Sequence, residues 1–160
     1  MKQKEEPITA VISPMSLSDI TKVREVGLKV PEFAVGTETP SFYSEEAMRK
    51  MVESNDCITL VARVEGDIVG FMLTSILPAA RDAYIHAVAV TETYRRQGIA
   101  GQLIDETLTQ LEARPEDCNH VFGDIQIENE ASLKLFEKHG FQIGKQFNYI
   151  DTMLPRNKDS

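Results

Sequence analysis

The order of elements along this 160-residue chain predicts an α/β domain with a mixed central sheet. Three observations carry that expectation. Two β-rich runs, 58–64 and 68–77, are joined by Glu65-Gly66-Asp67, a tight-turn signature that makes them antiparallel neighbours. A third run, Tyr84 to Val90, leads through a basic, glycine-containing turn into a helical pattern with Ile99, Leu103, Ile104, Leu108 and Leu111 on one face, as a crossover helix follows a strand. Over the whole length the pattern reads β, α, α, β, β, β, α, β, α, β, β. That order predicts about seven strands and about four helices in a single domain, with hairpins supplying antiparallel pairs and helices crossing between parallel strands.

Each element has a local reason. Ile8 to Ser13 is β-rich and stops at Pro14. Ser16-Leu17-Ser18-Asp19 opens a helix, with Ser16 or Ser18 as cap, with Leu17, Ile20 and Val23 inward, and with Gly27 near its end. Val30 to Phe42, rich in Pro, Gly and Thr, is a loop. Ser44 caps a short helix with Glu45 and Glu46 in its first turn, where the dipole favours them, and with Met48, Met51 and Val52 toward the core. After Pro78 come the strand Tyr84 to Val90, a helix from about Gly98 to Ala113 and a strand from Val121 to Ile127. Asn129 or Glu130 opens a helix ending at His139-Gly140, with Gly140 in the C′ position. Two final strands, about Phe141 to Gln146 and Tyr149 to Leu154, complete the domain at 8–155, leaving frayed ends at 1–7 and 156–160.

Composition narrows the function. Charged residues are 26% and hydrophobic ones 42%, enough for one core. No apolar run is long enough to cross a bilayer and no charged-then-apolar leader begins at Met1, so a cytoplasmic location without membrane is expected. The net charge of −8 argues against nucleic acid as a partner and favours a cationic substrate. Cys57 and Cys118 form no Cys-x-x-Cys motif, and His86, His120 and His139 have no metal spacing, so neither a disulfide nor a metal is expected. Cys118 and His120 point the same way only on a strand, and nothing else orients them as a nucleophile pair.

The stretch Arg95-Arg96-Gln97-Gly98-Ile99-Ala100-Gly101 builds an anion site. A helix's first turn has free N–H groups and a positive dipole end. Gly98, Ala100 and Gly101 let an anion approach the backbone, and Arg95 and Arg96 add charge. The chain has no Gly-Lys-Ser/Thr for a P-loop, and Gly98-x-x-Gly101 does not fit the Rossmann spacing. What remains, Arg-x-x-Gly-x-Ala, resembles the acyl-CoA pyrophosphate loop of the GNAT N-acyltransferase superfamily. About 30 residues later, Asn129, Ser132, Phe136, Lys138, Gly140 and Phe141 resemble that superfamily's Asn-x-x-Ala/Ser, aromatic, Lys-x-Gly-Phe segment. Read alone, the first segment is also a helix N-terminus near two solvated arginines, Val88 and Val90 are also plain core strand, and Asn129 is also a helix cap.

The resemblance implies a GNAT-like fold with two parallel strands splayed around acetyl-CoA, a co-substrate. It places the pyrophosphate on amides from Gln97 to Gly101, beside Arg95 and Arg96, and the pantetheine arm along Val88, Ala89 and Val90. Asn129, with Ser132, Phe136 and Lys138, lies on the far side. It implies transfer of an acetyl group to a primary amine: a protein N-terminus, a lysine or a small amine. The segments 126–129 and 136–141 look somewhat like the N-terminal, ribosomal-protein-type acetyltransferases, although the last hairpin is shorter. A monomer or homodimer fits the family.

The amine must be neutral to attack. A lysine-type amine is only about 0.1% neutral at pH 7.4, an α-amine roughly 20–30%, a difference of about 3–4 kcal/mol. Asp124 is the first candidate base, placed where related N-terminal acetyltransferases carry Glu or His on this strand. Tyr84 is the second, and Tyr149 is expected on the acceptor side. Asp124 also reads as a strand-end carboxylate and Tyr84 as an ordinary strand aromatic. Glu32 and Glu38, in the loop expected to wall the acceptor site, could draw a cation. The family often has a Tyr at position 136 to protonate the leaving thiolate, and Phe136 cannot do so. That departure keeps a second class in view, a non-catalytic acyl-CoA-binding sensor or scaffold.

Overall fold

Five strands form one sheet in the order β1–β2–β3–β4–β5 in the computed structural model, which describes residues 8–36 and 41–156. The expectations for 1–7, for 157–160 and for Glu38 lie outside the described residues. The strands are β1 (Val11–Pro14), β2 (Cys57–Val64), β3 (Asp67–Leu77), β4 (Asp82–Val90) and β5 (His120–Gly123). The helices are α1 (Ile20–Leu28), α2 (Glu45–Glu53), α3 (Ile99–Glu112) and α4 (Glu130–Lys138). Strands β1 to β4 pair antiparallel, and β5 pairs parallel to β4 through α3.

Both faces of the sheet are covered. On one, Leu60, Ala62, Met72 and Ile85 pack against Ile99, Leu103 and Ile104 of α3 and Phe136 of α4. On the other, Val61, Phe71, Leu73 and Ala87 pack against Val23 of α1, Met48 of α2 and Phe42. Neighbouring strand residues thus enter opposite cores, and the central strands read as continuous apolar runs. The hairpin between β2 and β3 turns at Glu65 and Gly66, with φ of 51° and 87°. Ser44 caps α2, its hydroxyl accepting from the Ala47 amide at 3.1 Å.

Several expectations need correction. The sheet has five strands among the described residues, not about seven, because 141–156 forms no ladder. Phe141 packs edge-on against Phe136, but Phe147, Ile150 and Leu154 beyond it are exposed. Strand β5 stops at Gly123 rather than Ile127, since its pairing with β4 ends there. Leu17 lies in a 3-10 turn, half exposed, while Ile20 and Val23 are buried as expected. The turn is held by Asp19, whose carboxylate accepts from the Ser16 amide at 2.9 Å and from Arg63 at 2.6 Å.

Candidate active site

The site starts where β4 and β5 part. Their parallel register covers Asp82 to Ile85 against His120 to Gly123 and goes no further. On its other side β4 stays paired with β3 up to Val90, with one irregularity: Leu73 faces Ala87 and Thr74 faces Ile85, so His86 is a bulged residue. From His86 to Val90, β4 therefore has one edge without a strand beside it among the described residues. Thr91 N–H bonds Val69 O at 2.8 Å, and residues two apart turn the same way, so Ala89 gives its backbone to β3. Val88 and Val90 turn theirs to the open edge, where Arg95 Nε already donates to Val90 O at 2.9 Å. A bound chain could pair along Val88 much as a strand would. Ala89 is not available for that, and the Val90 carbonyl is already engaged.

The basic turn follows directly. Arg96 and Gly98 both have positive φ, 63° and 79°. Gly98 is the N-cap of α3, and a Cβ there would meet nothing within 4 Å, so glycine answers to the backbone conformation and leaves open space above it. The first backbone bond into the helix is Gln102 N to Gly98 O, 3.1 Å, which leaves the amides of Ile99, Ala100 and Gly101 at the free end. Gly101 has a different reason. A Cβ there would lie 2.6 Å from His139 Nε2, so Gly101 lets α3 approach the end of α4, where His139 Nδ1 bonds Asp105 at 2.8 Å.

Across the gap, Asn129 caps α4, its side-chain oxygen accepting from the Ser132 amide at 3.2 Å. Phe136 is 6% exposed and belongs to the core, while Lys138 is exposed. Gln126 Nε2 donates to Glu32 O at 3.0 Å, tying the loop after α1 to the chain beyond β5.

The polar groups gather at the mouth of the gap, on the α1–α2 face. Tyr84 donates its hydroxyl to Asp124 Oδ2 at 2.9 Å. The two candidate bases are thus one pair. Burial first, then the bond to Asp124 and its charge, push the Tyr84 phenol well above its ordinary pKa. A phenol in that setting stays protonated and donates. It holds the carboxylate in place through that bond. Tyr149, half exposed, is close enough that its charge raises the pKa of Tyr84 and of Tyr43.

Tyr43 and His86 had no assigned role in the sequence. Tyr43 Oη lies 2.9 Å from His86 Nδ1, and Ser75 Oγ lies 2.6 Å from His86 Nε2. The His86 ring stands edge-on to Tyr84 at 5.0 Å and to Tyr43 at 5.6 Å. The signal available was period 2: Tyr84 and His86 share a face of one strand. Tyr43 carried no such signal. Among the described residues no group of side chains could hold a metal ion, and no helix is long and apolar enough to cross a membrane.

The model of the acetyltransferase (GNAT) family matches residues 29–141. The chain is similar to an N-alpha-acetyltransferase of Sulfurisphaera tokodaii, 22% identical over 136 residues that cover 79% of this chain and 76% of that protein. The fold is similar to that of the ribosomal-protein-S18-alanine N-acetyltransferase from Escherichia coli, with TM-score 0.69, 20% identity, and coverage of 92% of this chain and 88% of that one. It is likewise similar to an aminoglycoside acetyltransferase from an uncultured soil metagenomic sample, with TM-score 0.70, 21% identity, and coverage of 91% and 96%.

Proposed function

The chain belongs to the acetyltransferase (GNAT) family, and from that premise we propose that it transfers an acetyl group from acetyl-CoA directly to a primary amine within a ternary complex. The observation that supports this best is the gap itself. One end opens on the free amides of α3 behind Gly98, with Arg95 and Arg96 beside them, and the other on the Tyr84–Asp124 pair. The diphosphate rests on amides from Gln97 to Gly101 and the arm runs along Val88, with Asn129 facing it. The acceptor enters from the side of Tyr43, Tyr84 and Tyr149.

Asp124, held by Tyr84, draws the ammonium and takes its first proton. The neutral amine then attacks the thioester carbonyl and the coenzyme leaves as thiolate. Phe136 is buried in the core and has no hydroxyl, so the thiolate, a tolerable leaving group near neutral pH, takes its proton from water or from Tyr149. An α-amine is the favoured acceptor. It is neutral often enough for an exposed carboxylate to serve as base, and the Sulfurisphaera relative is named for such a substrate. The reaction needs no metal. The acidic chain suits a cationic acceptor rather than nucleic acid, and the protein works in the cytoplasm as a monomer or homodimer.

Free thiol release from acetyl-CoA tests this reading. The acceptors are octapeptides with free α-amines, the same peptides blocked at the N-terminus but carrying lysine, and polyamines. Release with the free peptides alone supports an N-terminal acceptor, and release with the others moves the acceptor class. Tight coenzyme binding without release from any amine identifies a sensor or scaffold instead. Tyr149→Phe with kinetics unchanged at every pH removes Tyr149 from the reaction.

A further inference from the structure

The acceptor nitrogen must lose two protons, and the mouth of the gap holds two separate proton-handling pairs. An ammonium gives up one proton before it attacks. The tetrahedral adduct then carries a positive nitrogen that must give up a second before a neutral amide remains. Tyr84–Asp124 is one pair. The other runs inward from Tyr43 through His86 to Ser75, at 2.9 and 2.6 Å, with Cys57 Sγ 3.5 Å beyond Ser75 Oγ. We propose that the Tyr43 hydroxyl, held by the bulged His86, takes the second proton, from the adduct. This rests on the acetyltransferase reading above.

Three features of the site support it. His86 occupies the bulge just beyond the last paired step between β4 and β5, where the gap begins, and bulges re-aim side chains. Both ring nitrogens have hydroxyl partners, which can donate or accept by rotating, so the ring is satisfied whether neutral or charged. Tyr43 stands with Tyr84 on the side where the acceptor nitrogen enters, on the face of the sheet opposite Phe136. Among the described residues, the groups facing His86 are Tyr43 before α2, Ser75 of β3 and Tyr84 of β4, with Cys57, Asp124 and Tyr149 one step behind. Burial lowers the His86 pKa below its ordinary value, so the ring is neutral at pH 7 and ready to accept.

The step balances. The adduct's N–H bond breaks and its proton goes to Tyr43 Oη, while the Tyr43 O–H bond breaks and that proton goes to His86 Nδ1. Nitrogen keeps its electron pair, the carbonyl re-forms, and the C–S bond breaks with its pair on sulfur. His86 then returns the proton through Tyr43 to water. His86 touches no substrate. It is a positioning residue acting through Tyr43.

The test is the pH dependence of kcat with acetyl-CoA and the free-amine octapeptides, for wild type, His86→Gln, Tyr43→Phe, both together, and Asp124→Asn. The expected ratio of wild type to His86→Gln is near one at low pH, where wild-type His86 is already charged. It rises through a pKa below about 6.5 to a plateau of roughly 10–100-fold that persists at pH 9. Tyr43→Phe, which keeps the ring and its packing, follows the same curve. The double variant is no worse than either single one, and KM for acetyl-CoA is unchanged. The Asp124→Asn ratio moves the opposite way, falling toward one by pH 9 as the amine becomes neutral. A flat ratio for His86→Gln and Tyr43→Phe across pH, or fully additive losses, overturns the proposal while leaving the acetyltransferase reading intact. Absence of any thiol release by wild type overturns both.

Discussion

Placing valine at Gly98 separates the conformational need for glycine from its service to a ligand. Gly98 has φ +79° and a Cβ there meets nothing within 4 Å. Gly66, in the β2–β3 hairpin, has φ +87° and likewise nothing within 4 Å. Gly98→Val and Gly66→Val therefore carry the same kind of strain, about 1–2 kcal/mol for an L-residue in the left-handed region, with a β-branched side chain at the upper end. With a urea slope of about 2 kcal/mol per M, each lowers the unfolding midpoint by roughly 0.5–1 M. Only Gly98 adjoins the free amides of α3. Its valine methyls enter the open space above them, and coenzyme A affinity measured by calorimetry should fall at least about 100-fold, or roughly 2.7 kcal/mol. Gly66→Val should bind as wild type. If Gly98→Val keeps its affinity while losing stability like Gly66→Val, the diphosphate does not rest on this turn.

Three further outcomes follow from other parts of the molecule. The Thr74 hydroxyl is fully buried without a hydrogen-bond partner among the described residues, so Thr74→Val should leave stability unchanged or raise it by up to about 1 kcal/mol in urea unfolding; a loss above that size means the hydroxyl has a partner. Burial raises the Asp19 pKa, but bonds from Arg63 and Ser16 outweigh it and hold the carboxyl low. Its stabilisation is thus present above about pH 3.9 and lost as pH falls through the lower folded value, so Asp19→Asn should be less stable by about 1.5–3 kcal/mol at pH 7 and converge with wild type toward pH 2. Asp124→Asn should leave unfolding unchanged within about 0.5 kcal/mol, because the carboxylate is exposed, and should lower turnover most below pH 7. A large stability loss would make Asp124 a structural anchor for Tyr84.

How legible each element was depended on how local its cause is. The hairpin at Glu65-Gly66, the Ser44 and Asn129 caps and the amphipathic α3 rest on residues within one turn of each other, and all appear as read. The final strands do not. Alternating apolar residues from Phe141 to Leu154 are compatible with a strand, but a strand exists only if a neighbouring edge accepts its hydrogen bonds, and composition cannot report that. The same limit explains Gly101. A small residue near a helix start reads as room for an anion, and only the approach of α4 shows that His139 fills the space.

The sequence alone determined the family, the turn that opens α3 and the order of strands and helices as far as α4, because these rest on neighbouring residues and on short motifs. The tertiary structure decided how distant side chains meet. It joined Tyr84 to Asp124 across 40 residues and Tyr43 to His86 across 43, turned Ala89 away from the gap, and put the bulge where β4 and β5 part. Hydrogen bonds form wherever the folded chain brings donor and acceptor within about 3 Å, and sequence separation carries no information about that distance.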